Sequence, residues 1–254
     1  MKSYKGYLID LDGTVYRGPE KIDEAVQFIK ELERRNLDYL FVTNNSTKHP
    51  SKVAEILRGM DIPATTEHVF TTSMATAKYV SDLKECAKVY MIGEAGLKEA
   101  LLEAGHTIVE KDADFVVMGL DRDITYEKLA LATINIRNGA KFIATNGDVA
   151  LPTERGLLPG CGSIVSVVSV STGVTPIFIG KPEDIIVEQA LDVLGIKKEE
   201  ALMVGDNYET DILAGIQAGI DSLIVHTGVT SREDLKKKET QPTFSLNSLS
   251  EWKF

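Results

Sequence analysis

Short apolar runs rich in β-branched and aromatic residues alternate with longer segments of helical periodicity along the whole chain. Tyr7-Leu8-Ile9 precedes a helical segment, residues 23–35, that carries Ala25, Val26, Ile29 and Leu32 at helical spacing. Tyr39-Leu40-Phe41-Val42 precedes another, from Ser51 to about Gly59, with Ser51 as a candidate N-cap after Pro50. No other feature constrains the fold as much. Parallel strands need long crossover connections, and helices are the usual ones, so the rhythm predicts a parallel sheet with helices on both faces. The expected class is α/β, a doubly wound sheet with a Rossmann-like core.

The rhythm also suggests two domains. Thr14 to Gly18 reads as a turn or small flap, Val69-Phe70 as a third strand, and Thr71-Thr72-Ser73 as the entry to a helix through Ala77 and Val80. From about Ala87 the pattern restarts. Strands are predicted at 88–93, 115–119 and 141–144, and helices at 97–104 and 126–137. Thr145 to Gly162 reads as a polar loop containing Gly and Pro. Ser163 to Ser171 has helix length, but its valines and serines leave the assignment open. This middle block is a self-contained α/β unit of roughly 90 to 100 residues, a normal domain size. The first pattern resumes at Pro176-Ile177-Phe178-Ile179-Gly180, continues through a helix at 182–194 and strands at 202–204 and 222–225, and ends in a tail with one short helix and one edge strand. The expected division is 1–82 and 178–254 for one domain and 83–177 for the other.

Composition narrows the partners. The chain has 254 residues, 43% hydrophobic and 26% charged, which is ample apolar surface for folded domains. Its net charge of −10 disfavours nucleic acid and anionic membranes. No stretch approaches the roughly 18 to 20 apolar residues of a membrane span. The first apolar run is too short for a signal peptide. Cys86 and Cys161 are the only cysteines and form no CxxC, which argues against zinc or a disulfide framework and suits a reducing cytoplasm. A small-molecule partner is expected, with no nucleic acid and no membrane. A homodimer is compatible with the sequence, but nothing in it specifies one.

Four predicted strand ends carry polar groups: Asp10 with Asp12, Thr43-Asn44, Lys181, and Asp206-Asn207 with Asp211 beyond. Open parallel sheets bind ligands beyond their carboxyl ends, so the fold would gather these residues. Strand alternation would put Asp10 and Asp12 on one face, where their like charges call for a bound cation. Mg²⁺ uses one or two carboxylates plus phosphate oxygens, which makes Asp10 and Asp206 the best direct ligands. Asp211 could act through water, or merely cap the following helix. Thr43, Asn44 and the backbone N–H groups after Asp10 suit phosphoryl oxygens, and Lys181 adds charge and can steady Asp10. A carboxylate nucleophile would form an aspartyl phosphate, and a second carboxyl would handle the proton.

These residues resemble the haloacid dehalogenase superfamily of phosphatases. Asp10-x-Asp12-Gly13-Thr14 is similar to its first motif, Thr43 to its second, Lys181 in Gly180-Lys181-Pro182 to its third, and Gly205-Asp206-Asn207-x-x-Thr210-Asp211 to its fourth. Val42-Thr43-Asn44-Asn45-Ser46 and Gly180-Lys181-Pro182 resemble the NagD-like and p-nitrophenylphosphatase-like branch. That branch carries an α/β cap between its second and third motifs, where the middle block falls. The resemblance implies Asp10 as nucleophile and Asp12 as general acid/base. It implies Mg²⁺ held by the Asp10 side chain, the Asp12 main-chain carbonyl and Asp206. Gly13 and Asn207 join Thr43, Asn44 and Lys181 on the phosphate side. Arg122, Asp148 and Arg155, on predicted cap loops, are candidates to touch the leaving group.

The expected activity is Mg²⁺-dependent hydrolysis of small phosphomonoesters, among them sugar phosphates, nucleoside monophosphates and p-nitrophenyl phosphate. A phosphomutase, and a sugar-phosphate-binding regulatory protein with vestigial activity, are the alternatives. Gly93-Glu94-Ala95-Gly96 lacks the full GxGxxG and reads as packing rather than a dinucleotide loop.

Overall fold

The computed structural model describes residues 3–153 and 155–254. Its chain forms two compact units, one of Met1–Thr43, Pro50–Phe70 and Lys181–Phe254, the other of Asn44–His49 and Thr71–Gly180.

The first unit is built on a six-stranded sheet. From one edge to the other its strands are Phe244–Leu246, Asp221–Val225, Ala201–Gly205, Gly6–Ile9, Asp38–Thr43 and Val69–Thr71. The strand Gly6–Ile9 pairs in parallel with both neighbours, Ile9 lying opposite Val204 and Phe41. Gly6–Ile9 and Ala201–Gly205 are buried along their whole length. Strands covered on both faces carry unbroken apolar runs rather than alternating ones, which is why these stand out in the sequence. Helix Asp23–Arg34 buries Ala25, Val26, Phe28, Ile29 and Leu32 in a core shared with Tyr7, Phe41, Leu202, Val204 and Trp252. Val26, Phe28, Ile29 and Leu32 each contribute about 1.5–3 kcal/mol when fully buried.

Details here differ from expectation. The second helix is Pro50–Gly59, so Ser51 lies inside it rather than capping it. Proline suits a first helical position, where its missing N–H has no intrahelical partner to lose. The flap after the first strand is a short antiparallel hairpin, Tyr16–Arg17 with Glu20–Lys21. The helix expected from Pro182 begins at Asp184, and the Lys181–Pro182 peptide is cis. Beyond Asp206 the chain makes a π-helical turn, Tyr208–Ile212, before helix Leu213–Ala218.

The second unit has its own five-stranded sheet, in the order Ile177–Phe178, Lys141–Ala144, Phe115–Met118, Lys88–Ile92 and Thr107–Ile108, every pairing parallel. Helix Tyr126–Arg137 has the predicted limits, because Thr125 accepts the Lys128 N–H at its start and Asn138-Gly139 follow its end. The Val/Ser-rich segment is a helix, Cys161–Thr172. Burial of Val165 and Val168 against the sheet overrides its weak propensity. The predicted loop at 145–162 contains an antiparallel hairpin, Ala150–Thr153 with Gly156–Pro159.

Ile177–Phe178 pairs with Ile143 and Ala144, so this run closes the second sheet instead of returning to the first. Helix Thr72–Leu83 also belongs here. Buried His106 lies with its Nε2 3.0 Å from the Ser81 hydroxyl, while its Nδ1 accepts the Ala87 N–H. The compact units therefore divide at 70/71 and 180/181, with Asn44–His49 in the second, rather than at 82/83 and 177/178. Gly96 behaves as packing: its N–H donates to the Thr47 carbonyl, and a side chain there would strike the Lys48 backbone.

Candidate active site

Asp10 follows the central strand, and its N–H donates to the Val204 carbonyl at 2.9 Å, so it leaves the sheet at the edge where Ala201–Gly205 delivers Asp206. Lys181 is buried beside it. Its ammonium donates to Asp10 Oδ1 at 2.5 Å, to Asp211 Oδ1 at 2.7 Å and to the Val42 carbonyl at 2.9 Å. Thr43, the next residue after Val42, is buried at the end of its strand.

Asp211 is fixed from three sides, since Asn207 N–H donates to Oδ2 at 3.1 Å while Thr210 and Lys181 donate to Oδ1. It does not cap the helix. Among the described residues no side chain caps helix Leu213–Ala218, and the π-helical turn before it is capped by Asn207, whose side-chain oxygen accepts the Glu209 N–H at 3.0 Å. Gly205 is glycine for a local reason, because a Cβ there would collide with the Asp211 side chain.

Asp206 is held by a loop. Thr14 donates to Oδ1 at 3.0 Å and the Val229 N–H to Oδ2 at 2.7 Å. The Thr230 N–H donates to the Asp206 carbonyl at 3.2 Å. Gly13, at φ +91°, passes against the Asp206 carboxylate where any side chain would clash.

Oxygens of Asp10, Asp206 and Asp211 lie within 4.8 Å of one another. Three carboxylates thus share the single charge of Lys181. Burial, with the Asp211 charge, pushes the Asp10 carboxyl well above its ordinary range against the pull of Lys181, and Asp206 adds to the rise. Burial and Asp211 push Asp206 up to about 6, despite its bonds from Val229 and Thr14. Burial alone would lower the Lys181 pKa; Asp10 and Asp211 outweigh it and raise it. An all-oxygen donor set with excess negative charge fits a hard divalent cation.

The strand-alternation argument does not reach Asp12. The strand ends at Ile9, and the Leu11 carbonyl then accepts N–H groups from Thr14, Val15 and Tyr16, which turns the chain. Asp12 is exposed, and the carboxylates that crowd Asp10 are those of Asp211 and Asp206. Burial and the Asp10 and Asp12 charges together raise the Tyr16 hydroxyl pKa.

Four further candidates lie in the second unit. Asn44 donates its side-chain N–H groups to both Asp148 oxygens at 3.3 Å, and its carbonyl accepts the Asn146 side-chain N–H at 2.9 Å. Arg122 is half-exposed and paired with Glu94 at 2.9 Å. Arg155 stands at the exposed tip of the Ala150–Pro159 hairpin, its N–H donating to the Thr153 hydroxyl.

A family profile described as Haloacid dehalogenase-like hydrolase matches residues 7–107, and a second HAD-type hydrolase profile matches residues 178–252. The 5'-nucleotidase YutF of Bacillus subtilis is 61% identical over 252 residues, 99% of this chain and 98% of the relative. The acid sugar phosphatase of Staphylococcus aureus strain USA300 is 56% identical over 252 residues, 99% of this chain and 97% of the relative. The chain belongs to the haloacid dehalogenase-like hydrolases. Within them it is a NagD-like phosphatase, a hydrolase of phosphoric monoesters. Among solved structures, a double mutant of the thermostable NPPase of Geobacillus stearothermophilus superposes with a TM-score of 0.95 at 58% identity, covering 100% of this chain and 99% of that one.

One part of this haloacid dehalogenase-like site escaped the sequence reading, namely the loop His226-Thr227-Gly228-Val229-Thr230 around Asp206. It follows the strand Asp221–Val225, a fifth strand end that the reading left without polar function. Its Thr-Gly pair was a usable signal, but its decisive donors are backbone N–H groups, which any residue but proline supplies.

Proposed function

We propose that this phosphatase hydrolyses small phosphomonoesters through an aspartyl phosphate on Asp10, with Mg²⁺ as its cofactor. Sugar phosphates, nucleoside monophosphates and p-nitrophenyl phosphate are the substrate class. The observation that carries the proposal is the buried Lys181–Asp10 pair beside Asp206 and Asp211 at the carboxyl edge of the sheet.

Asp10 keeps one oxygen on Lys181 and attacks phosphorus with the other, forming the acyl-phosphate (mixed anhydride) bond as the bond to the leaving oxygen breaks. Asp12, as the acid, gives that oxygen its proton. In the second step Asp12 takes a proton from water as the water attacks phosphorus, and Asp10 leaves as a carboxylate with release of inorganic phosphate. Asp12 is exposed, as a group exchanging protons with a departing alcohol needs to be. Lys181 offsets charge gathering on the phosphoryl oxygens, and the side chains of Thr43, Asn44 and Asn207 supply hydrogen-bond donors to them. The Gly13 N–H is already given to the Tyr16 carbonyl at 2.7 Å, so Gly13 serves by its lack of a side chain and not as a donor.

Asp10, the main-chain carbonyl of Asp12 and Asp206 would hold the metal, with Asp211 acting one layer out. Asp211 already accepts three bonds, from Lys181, Thr210 and Asn207, which suits a supporting role. When bound, Mg²⁺ neutralises the carboxylates and polarises the transferring phosphoryl group. We assign substrate choice to the second unit, the cap of the branch, with Arg122, Asp148 and Arg155 as its candidates. Both cysteines are free thiols, which suits a cytoplasmic enzyme.

The test is Asp10→Asn, purified free of contaminating phosphatase and assayed on p-nitrophenyl phosphate. A loss of at least about 10³-fold in kcat is expected, with a comparable, reversible loss on EDTA treatment of the wild type. Turnover by Asp10→Asn at the wild-type rate would refute the mechanism.

A further inference from the structure

We infer that Thr227, Gly228 and Val229 form a clasp that positions Asp206 for the metal and locks it to the Asp10–Thr14 turn. The inference rests on the proposed metal reading and adds to it residues outside the four motifs.

Each residue contributes differently. The Thr227 hydroxyl donates to the Gly13 carbonyl at 2.7 Å, which ties the loop to the turn beside Asp12. The Val229 N–H donates to Asp206 Oδ2 at 2.7 Å and so orients the carboxylate. Gly228 lies between them, and a Cβ there would strike Asp206 Oδ2 and the Gly13 backbone. The loop can approach both only because this position has no side chain. Its outer end is anchored as well: the Thr230 N–H donates to the Asp206 carbonyl at 3.2 Å, and the Thr230 hydroxyl accepts the Tyr208 N–H at 2.8 Å. On the flap side Arg17 Nε donates to the Thr227 carbonyl at 2.5 Å.

The consequence is geometric. Asp206 leaves one strand and Asp10 another, and their separation sets the size of the cation site. Thr14 donates to Asp206 at 3.0 Å and Thr227 donates to Gly13 at 2.7 Å, so the turn is tied both to Asp206 and to the loop that holds Asp206. Thr227 is therefore a positioning residue: it touches no reacting atom and acts through the turn and Asp206. Groups that orient metal ligands in this way typically govern about 10–100-fold in metal affinity.

The test measures Mg²⁺ binding to the substrate-free protein by calorimetry, alongside the melting temperature of the metal-free form. Thr227→Val is nearly isosteric and removes only the hydroxyl donor; Thr227→Ser keeps it. Thr227→Val should weaken Mg²⁺ binding at least about tenfold, Thr227→Ser should stay within about threefold, and the metal-free melting temperatures should remain close to wild type. Equal Mg²⁺ affinity in wild type and Thr227→Val, or a lowered melting temperature with unchanged affinity, would overturn the clasp. Arg17→Ala, at an exposed position, should weaken Mg²⁺ binding in the same direction and carries the test should the valine variant not fold; unchanged affinity would overturn it equally. Absence of Mg²⁺ binding by the wild type would instead remove the metal reading on which the clasp rests.

Discussion

Lys181 lies 171 positions from Asp10 in the chain, yet its ammonium sits 2.5 Å from Asp10 Oδ1 in a nearly dry setting. Removing the ammonium leaves Asp10 and Asp211 buried without their counter-charge. Breaking a buried pair in this way costs about 3–5 kcal/mol. Lys181→Met should therefore lower the metal-free unfolding free energy in urea by about that amount, and should lower kcat/KM by at least about a hundredfold. A variant as stable as wild type would show that the pair holds nothing together.

Asp206 sets a pH dependence. Its folded-state pKa, about 6, lies above the ordinary 3.8. Between those values the folded protein holds a proton that the unfolded chain has released, so stability falls as pH rises. The contribution is fully present below 3.8 and lost as pH passes about 6. Asp10 is shifted in the same direction. Metal-free protein should therefore melt at lower temperature as pH rises from about 4 to about 7 through this term. Mg²⁺ needs the ionised carboxylates, so its affinity should rise over the same interval. Calorimetric scans with and without Mg²⁺ across that range check both; an affinity that falls with pH would contradict the assignment.

Asn44 and Asp148 should behave as a unit. Asn44→Asp sets two carboxylates face to face, whereas Asp148→Asn only weakens a charge-assisted bond worth about 1.5–3 kcal/mol. The reciprocal double variant, Asn44→Asp with Asp148→Asn, restores an amide-to-carboxylate pair. It should recover most of the stability and kcat/KM that Asn44→Asp loses. Additive losses in the double variant would mean that the two residues act independently.

Arg122 and Arg155 test substrate choice. Their exposure limits what they give to stability, at most about 1 kcal/mol for the Arg122–Glu94 pair. Arg122→Ala and Arg155→Ala should leave the melting temperature nearly unchanged and alter the ranking of kcat/KM across a panel of phosphomonoesters. An unchanged ranking would remove both residues from substrate recognition.

What was legible in the sequence follows from where each signal originates. Strands buried on both faces, such as Gly6–Ile9 and Ala201–Gly205, are apolar throughout and read directly. So do Asp10 and Asp206, because a parallel sheet gathers polar residues from its strand ends. Lys181 was expected on the same ground, but the strand before it belongs to the other sheet, and it reaches Asp10 from the segment that leads into helix Asp184–Leu194. The hairpin Ala150–Pro159 was missed because its strands are mostly exposed and contain Pro152 and Gly156, which read as loop. Ile177–Phe178 was given to the wrong sheet, since a two-residue edge strand carries no mark of its partner. The alternation argument for Asp10 and Asp12 does not apply, because it needs a continuing strand, and here the strand ends at Ile9 and the chain turns on the Leu11 carbonyl. The Val229 N–H on Asp206 had no side-chain signature to find.

The most direct measurement of the central claim is the chemical fate of Asp10 in a single turnover. Enzyme mixed with substrate and Mg²⁺, quenched in acid within the first turnover and digested, should carry one phosphoryl group on the peptide containing Asp10, and Asp10→Asn should carry none. Complete release of phosphate in that turnover, with the Asp10 peptide unmodified at every quench time, would contradict the account.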